Sequence, residues 1–181
     1  RSLDVRYRLG EDLAAFVASG RPLLGICNGF QTLVKAGLLP GDGPTPTPDA
    51  TRLLPQQRTV TLAPNMSGHF ECRWVYLHPN PHSPCLFTQG LEEPVYCPVA
   101  HGEGRLVTRD EHILHALQGD GLVALTYGDA NGAPLGYPAN PNGSMGNIAG
   151  LCNRAGNVLG MMPHPEDHIL PWQHPRWHRG E

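Results

Sequence analysis

Pro22-Leu-Leu-Gly-Ile-Cys27-Asn-Gly29-Phe-Gln31 is the stretch on which the fold turns. Its first half is a short, nearly all-apolar run of the kind shown by a strand buried on both faces. From Gly29 to Ala36 the apolar residues return at helical spacing, and Gly37 closes the segment. Upstream, Leu13, Phe16 and Val17 share one helical face between Gly10 and Ser19, with Glu11 and Asp12 at its start and Gly20 just past its end. Helix, strand, tight turn and helix in that order make one working unit of an α/β sheet. The expectation is an open, mostly parallel sheet with helices on both faces. Such sheets carry further βα units before the active-site turn, which here arrives after about two dozen residues. An N-terminal portion is therefore expected to lie outside these residues.

Working outward, Leu39 to Pro55 is dense in Pro, Gly, Asp and Thr, which break both helix and strand, and reads as a surface loop. Beyond it, Thr59–Leu62, Cys72–Leu77, Val95–Val99, Gly121–Tyr127 and Asn157–Met162 read as strands, and Asp110–Leu117 as a helix with Ile113, Leu114 and Leu117 on one side. Residues 167–181 form a His- and Trp-rich tail. With 181 residues and no internal repeat, one domain over 1–181 is expected.

Thirteen Lys and Arg against sixteen Asp and Glu give a net charge of -3, and the basic residues gather into no stripe, which argues against nucleic acid as a partner. No apolar run in these residues reaches the roughly 18 residues of a membrane span, and the expectation is a soluble protein that nothing targets for export. Five cysteines (Cys27, Cys72, Cys85, Cys97, Cys152) are an odd number with no Cys-x-x-Cys pair, which fits reduced thiols in a cytoplasm.

One of those thiols sits where chemistry is done. Glycines two before and two after Cys27 suit a strained strand-to-helix elbow that lifts the side chain to the sheet edge. A helix N-terminus there favours the thiolate and is expected to lower the thiol pKa. The N–H of Asn28 points toward an oxyanion formed on a carbonyl that Cys27 attacks. A base appears in Met161-Met-Pro-His164-Pro-Glu166, at the end of a strand-like run. Prolines restrict the backbone on both sides of His164, and Glu166 is placed to hold the imidazole tautomer. Taken alone, Cys27 reads as a small buried hydrophobe and Pro-His-Pro-Glu as a turn; together they make a coherent Cys, His, Glu triad.

Gly25-Ile-Cys-Asn-Gly-Phe-Gln31 and Met162-Pro-His-Pro-Glu166 resemble the class I, triad-type glutamine amidotransferases. Within them the chain is similar to the glutaminase-subunit family of phosphoribosylformylglycinamidine synthase. Gly37–Gly41, Asn65-Met-Ser-Gly-His-Phe-Glu-Cys-Arg-Trp-Val75, Ala100-His-Gly-Glu-Gly-Arg105, Ala139-Asn-Pro-Asn-Gly-Ser144 and Asn147–Asn153 extend the resemblance from about Pro22 to Glu166. It implies a flavodoxin-like fold and a thioester mechanism with Cys27 as nucleophile, His164 as acid and then base, and Glu166 orienting it. It further implies Gln31, with Gly25, at the glutamine pocket, and His101, Glu103, Arg105 and Arg73 near the site or an interface. The implied partners are a large ATP-dependent synthetase, which carries ATP and Mg, and a small third subunit; no cofactor is implied in this chain. The chain departs from the family in two ways: no upstream Pro-Gly-Gly-Phe-like segment offers a second oxyanion N–H, and the tail differs.

Two rival functions fit the same residues. A cysteine amidase or peptidase of similar fold would work without a synthetase, and a non-catalytic docking subunit would have no chemical reason to hold Cys27, His164 and Glu166. Lesser signals stay open. His101–Arg105 reads as anion-binding glycines beside an arginine or as a turn with a solvated ion pair. Alternating Arg73 and Trp74 face opposite sides of a strand, and Asn140, Asn142 and Asn147 suit a loop that bonds its own backbone. No metal is expected, because His164, His168, His174 and His178 lack the spacing of a structural zinc site. Trp172 and Trp177 are expected to pack against something apolar, on this domain or a partner.

Overall fold

The computed structural model describes residues 2–41, 58–134 and 136–179, with side chains from residue 9 onward. Most of the Pro-rich segment expected as a loop lies outside the described residues. The elements are α1 (Ser2–Ala18), β1 (Leu23–Ile26), α2 (Asn28–Lys35), β2 (Val60–Ala63), β3 (Glu71–Pro79), β4 (Val95–His101), β5 (Arg105–Thr108), α3 (Glu111–Gly119), β6 (Val123–Gly128), β7 (Ile148–Cys152) and β8 (Val158–Met161). Among the described residues no helix is long and apolar enough to cross a membrane, and all five cysteines are free.

The main sheet has six strands in the order β1-β8-β7-β6-β3-β4, and β2 pairs with β5 in a separate two-stranded sheet. It is an α/β fold with a mixed sheet flanked by helices, but the expected mostly parallel sheet is not found. Only β1 and β8 run parallel, while β8–β7, β7–β6, β6–β3 and β3–β4 are antiparallel. The reason lies in the connections. Parallel neighbours need a crossover of a dozen or more residues, usually a helix, whereas β7 turns into β8 through the short Asn153–Asn157 segment. The sequence reading also missed β5, hidden in the glycine-rich run after His101, and β7, whose Ile-Ala-Gly-Leu-Cys is buried at every position and shows no alternation.

The sheet is curled rather than open. β1 and β4 are opposite edges by strand order, yet the Cys27 thiol lies 3.9 Å from the Ala100 carbonyl oxygen. The His164 N–H donates to the Pro98 carbonyl at 2.8 Å. Both acceptors belong to β4, so the two edges converge at the end of the sheet where β1 and β8 finish. Pro98 is tolerated in β4 because this is an edge strand, where a missing ladder N–H costs nothing.

Packing explains why α2 sits where it does. Phe30, Leu33 and Val34 are its buried residues, at the i, i+3, i+4 spacing of one helical face. The helix lies close to β1 and β8 because Gly160 offers no side chain; a Cβ there would come within 2.1 Å of the Phe30 ring. Burying a ring of this kind stabilises by about 3–5 kcal/mol relative to alanine. At the other end of β8, the Asn157 amide donates to the carbonyls of Val17 and Arg21 at 2.8 and 3.0 Å, tying the end of α1 to the sheet.

The tail folds back on the molecule. His168 hydrogen-bonds the Tyr96 carbonyl at 2.6 Å, and its ring meets Trp74 edge-on at 5.0 Å. His174 lies tilted against Tyr96 with ring centroids 5.4 Å apart, over the face of β3 and β4 formed by Trp74, Tyr76 and Tyr96. Trp172 and Trp177, expected to pack, are instead more than half exposed in this chain. The docking contacts come from the histidines, whose flat rings fit between aromatic neighbours.

Candidate active site

Cys27 is one of two non-glycine residues with positive φ among the described residues, at φ 51° and ψ -107°. Such a conformation in a residue with a Cβ costs of order 1–3 kcal/mol and persists only where its surroundings over-determine it. Here they do. The Cys27 N–H donates to Met161 at 2.8 Å and the Cys27 carbonyl accepts from Gln31 N–H at 3.2 Å, so the strand pairing ends and the helix begins at this single residue. Gly25 is required by contact, since a Cβ there would lie 2.5 Å from Leu33 Cδ1 and 2.8 Å from the Gly29 carbonyl carbon. The second glycine of the elbow is different: a Cβ at Gly29 would meet nothing within 4 Å.

The parallel pairing of Ile26 with Met161 brings Cys27 beside the segment that leads to His164. Pro163 is fully buried and holds that segment against the core. The imidazole Nδ1 and Glu166 Oε1 lie 2.7 Å apart; with Nδ1–H as donor, Nε2 is the basic nitrogen. Nε2 is buried and has no protein partner, as a base waiting for a proton would be. The pair itself is half in solvent on the Glu166 side, so it serves orientation more than stability.

The thiol does not have the lowered pKa expected from its helix N-terminus. Partial burial pushes it above the ordinary thiol value and the Glu166 carboxylate adds to this, while the Asn28 N–H works in the opposite direction. Desolvation of the charged form outweighs one aligned N–H. The Asn28 N–H acts here on the sulfur itself.

The other expected residues divide into two groups. Gln31 reaches the turn between β4 and β5, where its Nε2 donates to the Glu103 carbonyl at 2.6 Å. His101 is buried in that turn: its Nδ1 lies 3.1 Å from Asn65 Oδ1, and Asn142 Nδ2 is 3.5 Å from its Nε2. Burial pushes its pKa down to about 4, so the ring is neutral. The Glu103 side chain points to solvent, and the guanidinium Nε of Arg105 is buried without a hydrogen-bond partner. The two form no ion pair with each other, which removes the solvated-pair alternative of the two readings of this motif. Arg73 belongs to a different corner, where it bridges to Glu71 at 2.8 Å and lies over the Tyr137 ring at 4.6 Å.

Four organising groups escaped the sequence reading. The carbonyls of Pro98 and Ala100 are backbone atoms with no side-chain signature. Asn65 and Asn142 stood inside quoted motifs, Asn65 without a role and Asn142 as a loop residue; the signal was their being amides near glycine-rich turns. Asn140 does bond its own loop, accepting from the N–H of Gly143 and Ser144. Among the described residues the group able to hold a metal ion is His164, Glu166 and Asp167, with ligand atoms within 4.8 Å of one another. It is the same histidine and acid, already engaged through Nδ1.

Residues 1–181 match the CobB/CobQ-like glutamine amidotransferase domain family. The chain is 43% identical to the phosphoribosylformylglycinamidine synthase subunit PurQ of Treponema denticola, over 93% of this chain and 64% of that protein. It is 45% identical to the PurQ of Dehalococcoides mccartyi, over 96% and 62%. A chain in the solved structure of PurLQS from Thermotoga maritima superposes with a TM-score of 0.64 at 29% identity, covering 97% of this chain and 66% of that one. The chain thus spans less than two thirds of the length of these relatives.

Proposed function

The chain belongs to the CobB/CobQ-like glutamine amidotransferase family, and we propose that it hydrolyses glutamine at Cys27 and supplies the ammonia to a synthetase that makes formylglycinamidine ribonucleotide for purine biosynthesis. The observation that carries the reading is Cys27 held at φ 51° on a strand-to-helix elbow whose strand pairs with the one leading into His164, a histidine oriented by Glu166.

The chemistry follows from those groups. His164 Nε2 takes the thiol proton, and the sulfur attacks the amide carbon of the glutamine side chain. Negative charge develops on the amide oxygen, toward which the Asn28 N–H is available. His164 returns the proton to the leaving nitrogen, ammonia departs, and a glutamyl thioester remains. Water then adds to the thioester with His164 taking its proton. Collapse releases glutamate, and the proton returns to the sulfur. Because burial keeps the resting thiol protonated, the nucleophile is made only when the imidazole accepts its proton during attack, which suits an enzyme that must not spend glutamine idly.

Gln31 and Gly25 shape the pocket side of the elbow in this reading. Similarity to a chain of PurLQS supports a complex with a large synthetase subunit, which binds ATP and Mg, and a small third subunit. The 181 residues act as one domain in the cytoplasm, with the tail docked on it.

The test is labelling by a glutamine-like chloroketone, in a Cys72→Ser background because Cys72 is the exposed thiol. One adduct on Cys27, suppressed by excess glutamine, and ammonia release stimulated by the ATP-loaded synthetase are the expected results. Labelling indifferent to glutamine, with no ammonia released alone or with the synthetase, would sink the reading.

A further inference from the structure

We propose that Asn65 is a positioning residue for the reaction at Cys27: its amide clamps both ends of the His101–Gly104 turn and thereby sets the backbone carbonyls that hold the thiol and Gln31. The inference rests on the glutamine-hydrolysing reading and assigns a role to a residue that touches neither substrate nor thiol.

Asn65 is buried, and its carboxamide has two donor hydrogens and an oxygen with two lone pairs. All four are used. Nδ2 donates to the carbonyls of His101 at 2.7 Å and His69 at 2.9 Å. Oδ1 accepts from the Gly104 N–H at 3.1 Å and from His101 Nδ1 at 3.1 Å. The Asn65 backbone N–H adds a bond to the Gly102 carbonyl at 2.9 Å. One residue therefore holds the turn at His101, Gly102 and Gly104.

The polarity is determined. The Gly104 N–H can only donate, so the atom facing it is the amide oxygen, and the imidazole beside it must present Nδ1–H. His101 is then neutral with Nε2 as acceptor, toward Asn142 Nδ2. That same Asn142 amide donates to the Gly104 carbonyl at 2.9 Å. The His101 ring covers Gly104 so closely that a Cβ there would come within 2.5 Å of it. Amide, ring and turn interlock.

What this turn carries is the site. Ala100, immediately before it, presents the carbonyl facing the Cys27 thiol, and Glu103 within it presents the carbonyl that accepts from Gln31. A shift of the turn moves both. Misplacement of reacting groups by about 1 Å costs on the order of 100-fold in rate.

The comparison residue is Asn153, another buried asparagine in a turn, which accepts from Val158 N–H at 3.0 Å and donates to Asn157 at 2.9 Å. It opens the turn between β7 and β8, whereas His164 lies beyond the far end of β8. Asn65→Ala, the isosteric Asn65→Asp and Asn153→Ala are compared in the full-length protein with its synthetase, in the Cys72→Ser background. Three readouts are taken: Tm, kcat and KM for glutamine, and the rate of Cys27 alkylation by iodoacetamide. Both Asn65 variants are expected to lose at least 10-fold in kcat/KM, with KM raised. Their Cys27 should alkylate at least three times faster, as the loosened turn admits water and reagent. Asn153→Ala should lose comparable Tm and keep both readouts within twofold. Asn65 variants that track Asn153→Ala in kinetics and alkylation overturn the proposal. So does failure of both to fold while Asn153→Ala folds, which makes Asn65 a purely structural residue. A wild-type protein that hydrolyses no glutamine sinks the functional reading instead, and the alkylation ratio still decides the role of Asn65.

Discussion

The two glycines that flank Cys27 are equivalent in the sequence and opposite in the structure, so alanine at each makes a paired experiment. A Cβ on Gly25 meets Leu33 Cδ1 at 2.5 Å, which a rotamer change can relieve. It also meets the carbonyl carbon and oxygen of Gly29 at 2.8 and 2.9 Å, which are backbone and cannot turn aside. Ordinary contact begins near 3.4 Å, so the first turn of α2 has to move by about half an ångström, against a helix pinned by Phe30 and Val34. Overpacking of this kind costs about 1–3 kcal/mol. At about 2–4 °C per kcal/mol for a chain of this size, Tm should fall by about 2–12 °C. The same half-ångström is taken up at Cys27, between the two contacts, and on the scale of about 100-fold per ångström the chemical step should slow by on the order of 10-fold. At Gly29 the space is open and the residue sits in the first turn of α2. Gly29→Ala should therefore be neutral or stabilising by up to about 1 kcal/mol, as alanine loses less backbone entropy in a helix. Urea and thermal unfolding of the two variants, with chloroketone labelling of Cys27, make the assay. A Gly25→Ala protein as stable as wild type, or Gly29→Ala the more damaged of the pair, would refute the reasoning.

Glu166→Gln should separate two roles of one carboxylate: its charge raises the Cys27 pKa, so removing it should speed iodoacetamide alkylation at pH 8 while glutamine turnover falls. The pH profile of alkylation in both proteins checks this. His101 has a folded pKa pushed down to about 4 by burial, against 6.5 for the free group. The unfolded chain therefore binds the extra proton between these values, and stability from this group is lost as pH falls from about 6.5 to about 4. His101→Gln should flatten that part of the difference curve in urea titrations at successive pH values. Asp110 caps α3 by accepting from the Ile113 N–H at 2.9 Å, and this bond holds its pKa below the ordinary carboxylate value. Asp110→Ala should lower Tm at pH 7, and its deficit should shrink as pH drops below about 3.8 through the lowered folded value, where the wild-type cap protonates as well.

Much of the site was legible because elbow chemistry leaves a mark in one dimension. Gly-x-Cys-x-Gly after an apolar run and Pro-His-Pro-Glu after another are local patterns, and the backbone near each behaves as its residues dictate. The helices were legible for the same reason: Phe30, Leu33 and Val34 declare a face by spacing alone. β5 and β7 were not, since a four-residue strand after a glycine-rich turn and an apolar run without alternation carry no period. The thiol pKa was misjudged because the helix N-terminus is a local feature and burial is not.

What the sequence alone determined is the inventory: a cysteine on a strained turn, a histidine with an acid two residues on, and most of the elements that bear them, each set by short-range sterics and hydrogen bonding. The tertiary structure decided what meets what. The antiparallel order of the sheet, its curl, and the convergence of β4 on the ends of β1 and β8 follow from pairings between strands as far apart in the chain as Leu23 and Val158. Only that curl brings Pro98 and Ala100 to His164 and Cys27, and only the packing of the turn beyond β4 gives Asn65 its four partners. Such contacts depend on three-dimensional closure, which no local pattern encodes.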